Sequence, residues 1–224
     1  MSTHNSIRHA VRYALLTSAA AAAAVPAYGA DQTIQEVVVT GSRIAQPNLE
    51  TSGVDLNLNY TGLDVGSWGS LNFNLTGTFL NELITDPGAS GFPPFDCTGL
   101  HAGTCVSSLT TAANPEIRSR FRIGWETPWN VDLSLTWRYY GAVTNIATSQ
   151  QANIDYKLGA RSFFDLAANW AVTEKASVLL GINNVLDKDP PISSAVGTTG
   201  NGNTFPQTYD ALGRWIFMRG QVSF

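Results

Sequence analysis

Histidine and charged residues are scarce in this sequence of 224 residues. Of its 3 histidines, His4 and His9 lie near the N-terminus, so only His101 is in the body of the chain. This excludes multi-histidine zinc sites and the HExxH helix. Charged residues make up 13% of the chain, below the roughly 25% of an average globular protein, and the net charge is -4. A nucleic-acid-binding protein normally has a basic face, so we expect no nucleic-acid partner.

Motifs that carry enzyme or cofactor chemistry are also missing. The sequence has no GxSxG, Walker or paired-carboxylate motif, and a Ser-His-Asp site would have to use His101 in a Gly-rich loop. Asp187-Lys188-Asp189 lacks the ligand spacing of an EF-hand. The Gly-rich segment 197–203 is not followed by a helix that could bind phosphate. We therefore expect no enzyme activity, no cofactor and no metal site.

Long apolar runs are absent after the N-terminal region. There, Arg8 and Arg12 precede an Ala-rich apolar run at residues 13–25, and Ala27-Tyr28-Gly29 fits the small-x-small rule for cleavage. Residues 1–29 are therefore predicted to be a cleaved signal peptide. The remaining apolar residues are dispersed, with no second run near the ~20 residues of a spanning helix.

The sequence contains only 2 cysteines, Cys97 and Cys105. In an exported chain an even number of cysteines predicts a disulfide, here a local one. Two free thiols are the alternative, which export to an oxidising compartment disfavours.

From Val54 onward, apolar and polar residues alternate with period two, as in strands with one apolar face. Seven such segments are separated by alternately short turns and long loops, which is typical of the wall of a transmembrane β-barrel. The predicted strands cover residues 54–61, 71–79, 117–126, 131–139, 164–170, 176–185 and a last segment that ends at Phe224. Aromatic residues near strand ends suit an interfacial girdle. A secreted β-sandwich also alternates, but its strands are usually shorter.

The segment from Ile34 to Ile44, IQEVVVTGSRI, resembles the TonB box region of TonB-dependent outer-membrane receptors. Its run of β-branched valines favours an extended strand that can add to an exposed sheet edge. The resemblance implies that the inner-membrane protein TonB binds a short run of these residues: Glu36, Val37, Val38, Val39 and Thr40. A buried strand is the alternative for this segment.

Later segments resemble the last barrel strands of the same family. They are TSGVDL at 51–56, the segment from Asp96 to Cys105, WRYY at 137–140, INNVLD at 182–187 and YDALGR at 209–214. The final strand, which ends on Phe224, is similar to the signal that the barrel-assembly machinery reads. The resemblance implies location in the Gram-negative outer membrane, with that machinery, membrane lipid, TonB and a small-molecule substrate as partners.

The chain is too short for the plug domain and the barrel of about 22 strands that the family carries. The resemblance jumps from Ile44 to Gly53, so we interpret the chain as an internally deleted receptor joined near residues 48–52. The predicted divisions are a signal peptide (1–29), a periplasmic TonB-box segment and linker (30–52) and a C-terminal barrel portion (53–224). The predicted fold is therefore all-β, an antiparallel transmembrane barrel segment of about seven strands without its plug. Seven strands would start outside the cell and leave two unpaired edges.

The resemblance implies energised uptake of a scarce solute, such as an iron chelate, cobalamin or a carbohydrate, by a truncated and incomplete receptor. A non-transporting structural remnant and a small porin- or adhesin-like barrel are the alternatives. Four arginines lie on the polar side of two adjacent strands, where they would attract anionic substrates: Arg118, Arg120, Arg122 and Arg138. The alternative, which we favour, is ordinary solvated charge in a barrel interior, balanced by Glu126, Asp132 and Asp165.

Overall fold

A computed structural model describes residues 34–46, 49–86, 93–101, 105, 113–145, 157–193 and 202–223. The predicted signal peptide, the proposed junction residue Asn48 and the terminal Phe224 lie outside these residues. The described strands are β1 (Ile34–Gln46), β2 (Leu49–Asp64), β3 (Ser70–Thr85), β4 (Phe95–Asp96), β5 (Leu100–His101), β6 (Ile117–Glu126), β7 (Val131–Tyr140), β8 (Val143–Asn145), β9 (Lys157–Leu158), β10 (Arg161–Thr173), β11 (Ala176–Asn183) and β12 (Trp215–Val222).

The long strands form one antiparallel sheet in the order β1-β2-β3-β6-β7-β10-β11-β12, with the short β4 paired to β3. Each long strand therefore pairs with the next long strand along the chain. The prediction of an all-β antiparallel fold is confirmed. Seven of these strands correspond to the predicted ones, and β1 adds an eighth that the alternation after Val54 did not include. The predicted boundary between residues 52 and 53 falls inside β2.

The connections between long strands differ in length on the two sides of the sheet. Residues 65–69, 127–130 and 174–175 form short turns on one side, which we call the short-turn rim. Segments 86–116, 141–160 and 184–214 connect strands on the opposite side, the long-loop rim, where only two residues separate β1 from β2. Because eight strands alternate in direction, β1 begins and β12 ends at the same short-turn rim.

One face of the sheet is apolar across its whole width. Aligned cross-strand positions form continuous apolar rows, the first of which is Val37, Leu58, Leu75, Phe121, Trp137 and Phe164. A second row is Leu71, Trp125, Leu133, Ala168, Leu180 and Met218. Many of these side chains are exposed, including Leu180 at 51% and Met218 at 74%. No layer of the described protein covers this apolar face.

The opposite, polar face carries Asn, Thr, Asp and Arg side chains. For example, Asp55 lies opposite Thr78, and Thr76 lies opposite Arg120. The Thr78 hydroxyl donates a hydrogen bond of 2.7 Å to Asp55 Oδ1. The period-two alternation of the sequence therefore separates the sheet into two faces of opposite character.

Buried apolar residues concentrate at the long-loop rim. One cluster packs loop residues against the first residues of β10, and its members are Ala113, Val143, Leu158, Phe163, Phe205 and Tyr209. A second cluster contains Leu83, Cys97 and Cys105. The short strands β5, β8 and β9 form a separate three-stranded sheet in this region. None of the helical segments in the described part of the chain has the length and apolarity of a membrane-spanning helix.

Candidate functional site

The predicted TonB box lies in β1, at one edge of the main sheet. Glu36 pairs with Asn59 and Thr40 pairs with Asp55, so this stretch is hydrogen-bonded to β2 on one side. No described strand pairs with its other side. The side chains of Val37 and Val39 are 52% and 48% exposed on the apolar face. The segment is thus an edge strand with a row of unpaired backbone groups. Across the sheet, Glu36 lies level with Arg122 and Thr40 lies level with Arg118, in the middle and the long-loop half of β6.

Arg138 on β7 is held by two carboxylates. Its Nε and one terminal nitrogen donate to both oxygens of Asp165, at 2.7 and 2.8 Å. Its terminal nitrogens also donate to both oxygens of Asp210, at 2.8 and 2.6 Å. Its guanidinium lies 5.2 Å from the centre of the Phe163 ring. Bidentate pairs of this kind fix geometry as well as charge, so Arg138 fastens the loop that contains Asp210 to the sheet.

Asp165 also binds the start of the same loop, at Asn184. Its Oδ1 accepts a hydrogen bond of 2.9 Å from the backbone N–H of Asn184. The Asn184 side chain in turn bonds both the N–H and the C=O of Lys188, each at 2.9 Å. No sequence pattern pointed to Asn184 or Asp210, although both lie in segments, INNVLD and YDALGR, that carry the family resemblance. The loop between β11 and β12 is therefore anchored at both of its ends.

Three of the predicted arginines, Arg118, Arg120 and Arg122, lie along β6 with their side chains exposed on the polar face. Among the described residues, no hydrogen bond or ion pair engages these side chains. Of their predicted counter-charges, Asp165 binds Arg138, and Glu126 accepts bonds from the side chains of Ser70 (3.0 Å) and Asn72 (2.7 Å). Asp132 lines a cavity together with Arg120 and Arg122 but forms no ion pair with them. The structure therefore separates Arg138, which is paired, from the other three arginines, which we call the arginine ladder.

Two cavities on the polar face meet at Arg120. The first, of about 490 Å³, is lined in part by Arg118, Thr76, Thr78 and Tyr140. The second, of about 480 Å³, is lined in part by Arg122, Ser134, Thr136 and Asp165. Both volumes are in the range of small-molecule sites.

The long-loop rim contains the disulfide and a buried tyrosine. Cys97 and Cys105 are joined, with their Cα atoms 5.4 Å apart. Tyr209 packs against Tyr140, and burial raises the pKa of Tyr209 to about 12. His101 is buried with its ring 5.8 Å from that of Phe205. Within the described ranges, no group of three His, Cys, Asp or Glu side chains is placed to hold a metal ion.

Aromatic residues gather at the short-turn rim. Trp129 makes edge-to-face contacts with Trp68 and Trp125, at centroid distances of 6.0 and 6.2 Å. The indole N–H of Trp125 also donates to the carbonyl oxygen of Trp68, at 2.7 Å. Two of the aromatic residues that suggested a girdle, Trp125 and Trp129, therefore form one cluster with Trp68 at this rim.

No protein-family model and no curated protein matches the sequence. Among solved structures, the chain is similar to the ferric enterobactin receptor PfeA (mutant G324V) from Pseudomonas aeruginosa, with a TM-score of 0.48 and 13% identity over 79% of this chain and 22% of that one. It is also similar to the siderophore receptor PiuA from Acinetobacter baumannii, with a TM-score of 0.39 and 16% identity over 68% of this chain and 21% of that one. The chain thus spans about a fifth of the length of these two solved receptors.

Proposed function

We propose that this chain is an outer-membrane β-barrel protein of the TonB-dependent receptor kind, in an internally deleted form that keeps the TonB-binding segment and the last part of the barrel. The proposal rests on the resemblance of residues 34–44 and of the later segments to that family. The observation that carries it is the position of β1 at one edge of the main sheet, which leaves one side of its backbone unpaired among the described strands.

The two faces of the sheet support a place in the outer membrane. A continuous exposed apolar face suits contact with lipid, and the polar face suits a barrel interior. β6 and β7 have 10 residues each, close to the roughly 9–11 that a tilted strand needs to cross the hydrocarbon layer. From β2 onward, short turns lie on one rim and long loops on the other, which is typical of outer-membrane barrels. The aromatic cluster of Trp68, Trp125 and Trp129 would lie at the periplasmic interface.

The eighth strand removes the conflict that seven strands created. With β1 in the sheet, the start of β1 and the end of β12 share the short-turn rim. If that rim is periplasmic, as short turns are in such barrels, β1 begins on the periplasmic side, where TonB acts. Residues 36–40 follow in the same strand, level with Arg122 to Arg118 of β6.

TonB would bind by adding a strand to the free edge of β1. In such an addition the backbone N–H and C=O groups supply the affinity, and the exposed side chains supply specificity. Residues 36–40 offer both, because their outer edge is unpaired and Val37 and Val39 are about half exposed. In a full receptor of this family, the contact with TonB drives uptake. In this chain the plug, which helps to select the solute, is proposed to be missing. We therefore expect TonB to bind without selective transport of an iron chelate, cobalamin or carbohydrate.

The test is site-directed crosslinking in cells that contain TonB. A Val38→Cys variant should form a crosslink with TonB that carries a cysteine in its strand-adding segment. The control is Lys175→Cys, which lies in the short turn between β10 and β11 and outside β1. We expect a crosslink for Val38→Cys and none for Lys175→Cys. Equal crosslinking of both variants, or none with a properly inserted Val38→Cys protein, would overturn the proposed TonB contact.

A second candidate function is a small closed barrel with a porin- or adhesin-like role. It is favoured by one observation, the count of eight long strands in sequence order, since single-chain bacterial barrels have even strand numbers from about eight upward. In that case β12 would pair with β1 and hide the edge from TonB. This candidate predicts ion conductance or surface adhesion without TonB, and a gel band of the protein that shifts when the sample is boiled. A non-transporting remnant predicts neither ion conductance nor a crosslink to TonB.

A further inference from the structure

We propose that the polar face of the sheet binds a small polyanion, with two or more carboxylate or phosphate groups, across the arginine ladder of Arg118, Arg120 and Arg122. These residues alternate along β6, so their side chains point to one face at intervals of roughly 7 Å. A ligand with two anionic groups a few bonds apart can contact two neighbouring arginines of such a ladder. Each guanidinium can hold a carboxylate or phosphate through two parallel N–H···O bonds.

Arg138 shows how an arginine with a structural role is satisfied in this sheet. It faces the same side, directly opposite Arg120, and binds the carboxylates of Asp165 and Asp210. Arg120 has no such partner among the described residues, so its N–H donors are not used within that part of the chain. The charge of Arg138 is balanced by its two carboxylates and does not repel Arg120. The difference between the two arginines indicates that the ladder is left available for a ligand.

The chain itself does not supply the missing negative charge. Its undescribed segments contain only two acidic residues, Asp31 and Asp155. On the polar face, Asp55 accepts a bond from Thr78, and Asp132 lies opposite Glu126, at the short-turn end of the ladder. The arginine ladder therefore keeps a surplus of positive charge that an anionic ligand would neutralise.

The surroundings of the ladder suit a bound anion. Arg120 lines both of these cavities, and each adds hydroxyl groups that can donate hydrogen bonds: Thr76 and Tyr140 in the first, Ser134 and Thr136 in the second. Asp55 lines the first cavity, and Asp132 and Asp165 line the second, although Asp165 is already bound by Arg138. The first cavity, between Arg118 and Arg120, therefore has the larger surplus of positive charge and is the main binding position.

The experiment is calorimetric titration of the full chain, folded in detergent, with citrate and with pyrophosphate at constant ionic strength. Acetate serves as the single-charge control. We expect saturable binding of citrate or pyrophosphate and none of acetate. A preference for citrate would assign a carboxylate ligand and a preference for pyrophosphate a phosphate ligand, and both outcomes support the site. Absence of binding by both polyanions would overturn it.

The variants separate a defined site from general charge attraction. Arg120→Gln should weaken binding by about tenfold or more, and Arg120→Lys should weaken it less, since charge is kept and the paired geometry is lost. Arg219→Gln is the matched control, because Arg219 is exposed on the same face at the far edge strand β12. An equal loss in Arg120→Gln and Arg219→Gln would overturn the proposal. Arg118→Gln gives a second test should Arg120→Gln fail to fold.

Discussion

Arg120 and Arg138 lie opposite each other on β6 and β7, yet only Arg138 is bound by carboxylates. The sequence predicted the face of both side chains, since alternation in a strand fixes which residues share a face. It could not distinguish them, because Asp210 is 72 residues from Arg138 along the chain and lies in a loop without alternation. The expectation that Glu126, Asp132 and Asp165 neutralise the four arginines rested only on which residues share the polar face.

The first prediction concerns the ion pairs of Arg138. Arg138→Gln leaves Asp165 and Asp210 close together without their shared cation, so it should destabilise the protein. Because the Arg138 side chain is 20% exposed, water screens part of the effect, and we expect a loss of about 2 kcal/mol. The measurement is urea unfolding in detergent, with protease cleavage of segment 184–214 as a local readout. Arg122→Gln is the control, expected within about 0.5 kcal/mol of the wild type; equal losses would refute the assigned anchor.

The second prediction concerns the ionisation of Tyr209. Burial raises its pKa to about 12, because the phenolate would lose contact with water. The folded state therefore holds this proton more strongly than the unfolded state, whose tyrosine pKa is about 10. The resulting stability is fully present below pH 10 and is lost as pH rises through about 12. Ultraviolet titration should show one late tyrosine transition that Tyr209→Phe removes.

The same variant tests the packing around this residue. Within the described residues the Tyr209 hydroxyl is buried without a hydrogen-bond partner. Removing a buried unsatisfied group is neutral or favourable by about 1 kcal/mol. Tyr209→Phe should therefore keep or raise the unfolding midpoint at pH 7, and a clear loss of stability would show that the hydroxyl has a structural bond.

At the scale of the element, β1 shows why a strand can escape detection by alternation. Three consecutive valines, Val37, Val38 and Val39, put apolar side chains on both faces, so no period-two pattern is visible there. The segment could be recognised as extended by its β-branched residues. Its pairing with β2 depends on a connection of two residues, 47–48, and on register, which the pattern of β1 alone does not specify.

The third prediction concerns the turn between β2 and β3. Gly69 has a φ of 97°, and a Cβ at this position would overlap the carbonyl oxygen of Glu126. Gly66 in the same turn also has a positive φ, 67°, but open space around it. Gly69→Ala should therefore cost about 3 kcal/mol, and Gly66→Ala about 1 kcal/mol. The comparison of their urea midpoints checks this, and similar midpoints would show that Glu126 moves aside at little cost.

For the whole molecule, the sequence predicted the all-β class, seven long strands and the separation of apolar from polar faces. The pattern was sufficient because most of the long strands after Val54 alternate apolar and polar residues over most of their length, as Leu133 and Ser134 illustrate. The loops were less accessible to prediction. Their clusters bring Ala113, Phe163 and Phe205 together from distant positions, and no short-range pattern encodes such contacts.

The fourth prediction tests the proposed contact of the apolar face with lipid. Leu166 is 43% exposed on that face, and Asn169 lies on the polar face of the same strand, opposite Asp132. In lipid vesicles, Leu166→Arg should lower the free energy of unfolding by about 2–4 kcal/mol. Loss of the folded band on an unboiled gel at increasing urea concentration measures this. Asn169→Arg should have little effect, because the new charge would face polar groups and a carboxylate. Equal tolerance of both arginines would contradict the membrane placement.

Neighbour-only pairing in the sheet also limits which changes of length the protein can survive. Each long strand depends on the one before it and the one after it, so a complete hairpin can be gained or lost without breaking any other pairing. The loss of a single strand would instead reverse the direction of every strand beyond it and move one chain end to the opposite side of the sheet. Natural deletions in proteins built this way should therefore remove strands in pairs, and surviving variants should retain even numbers.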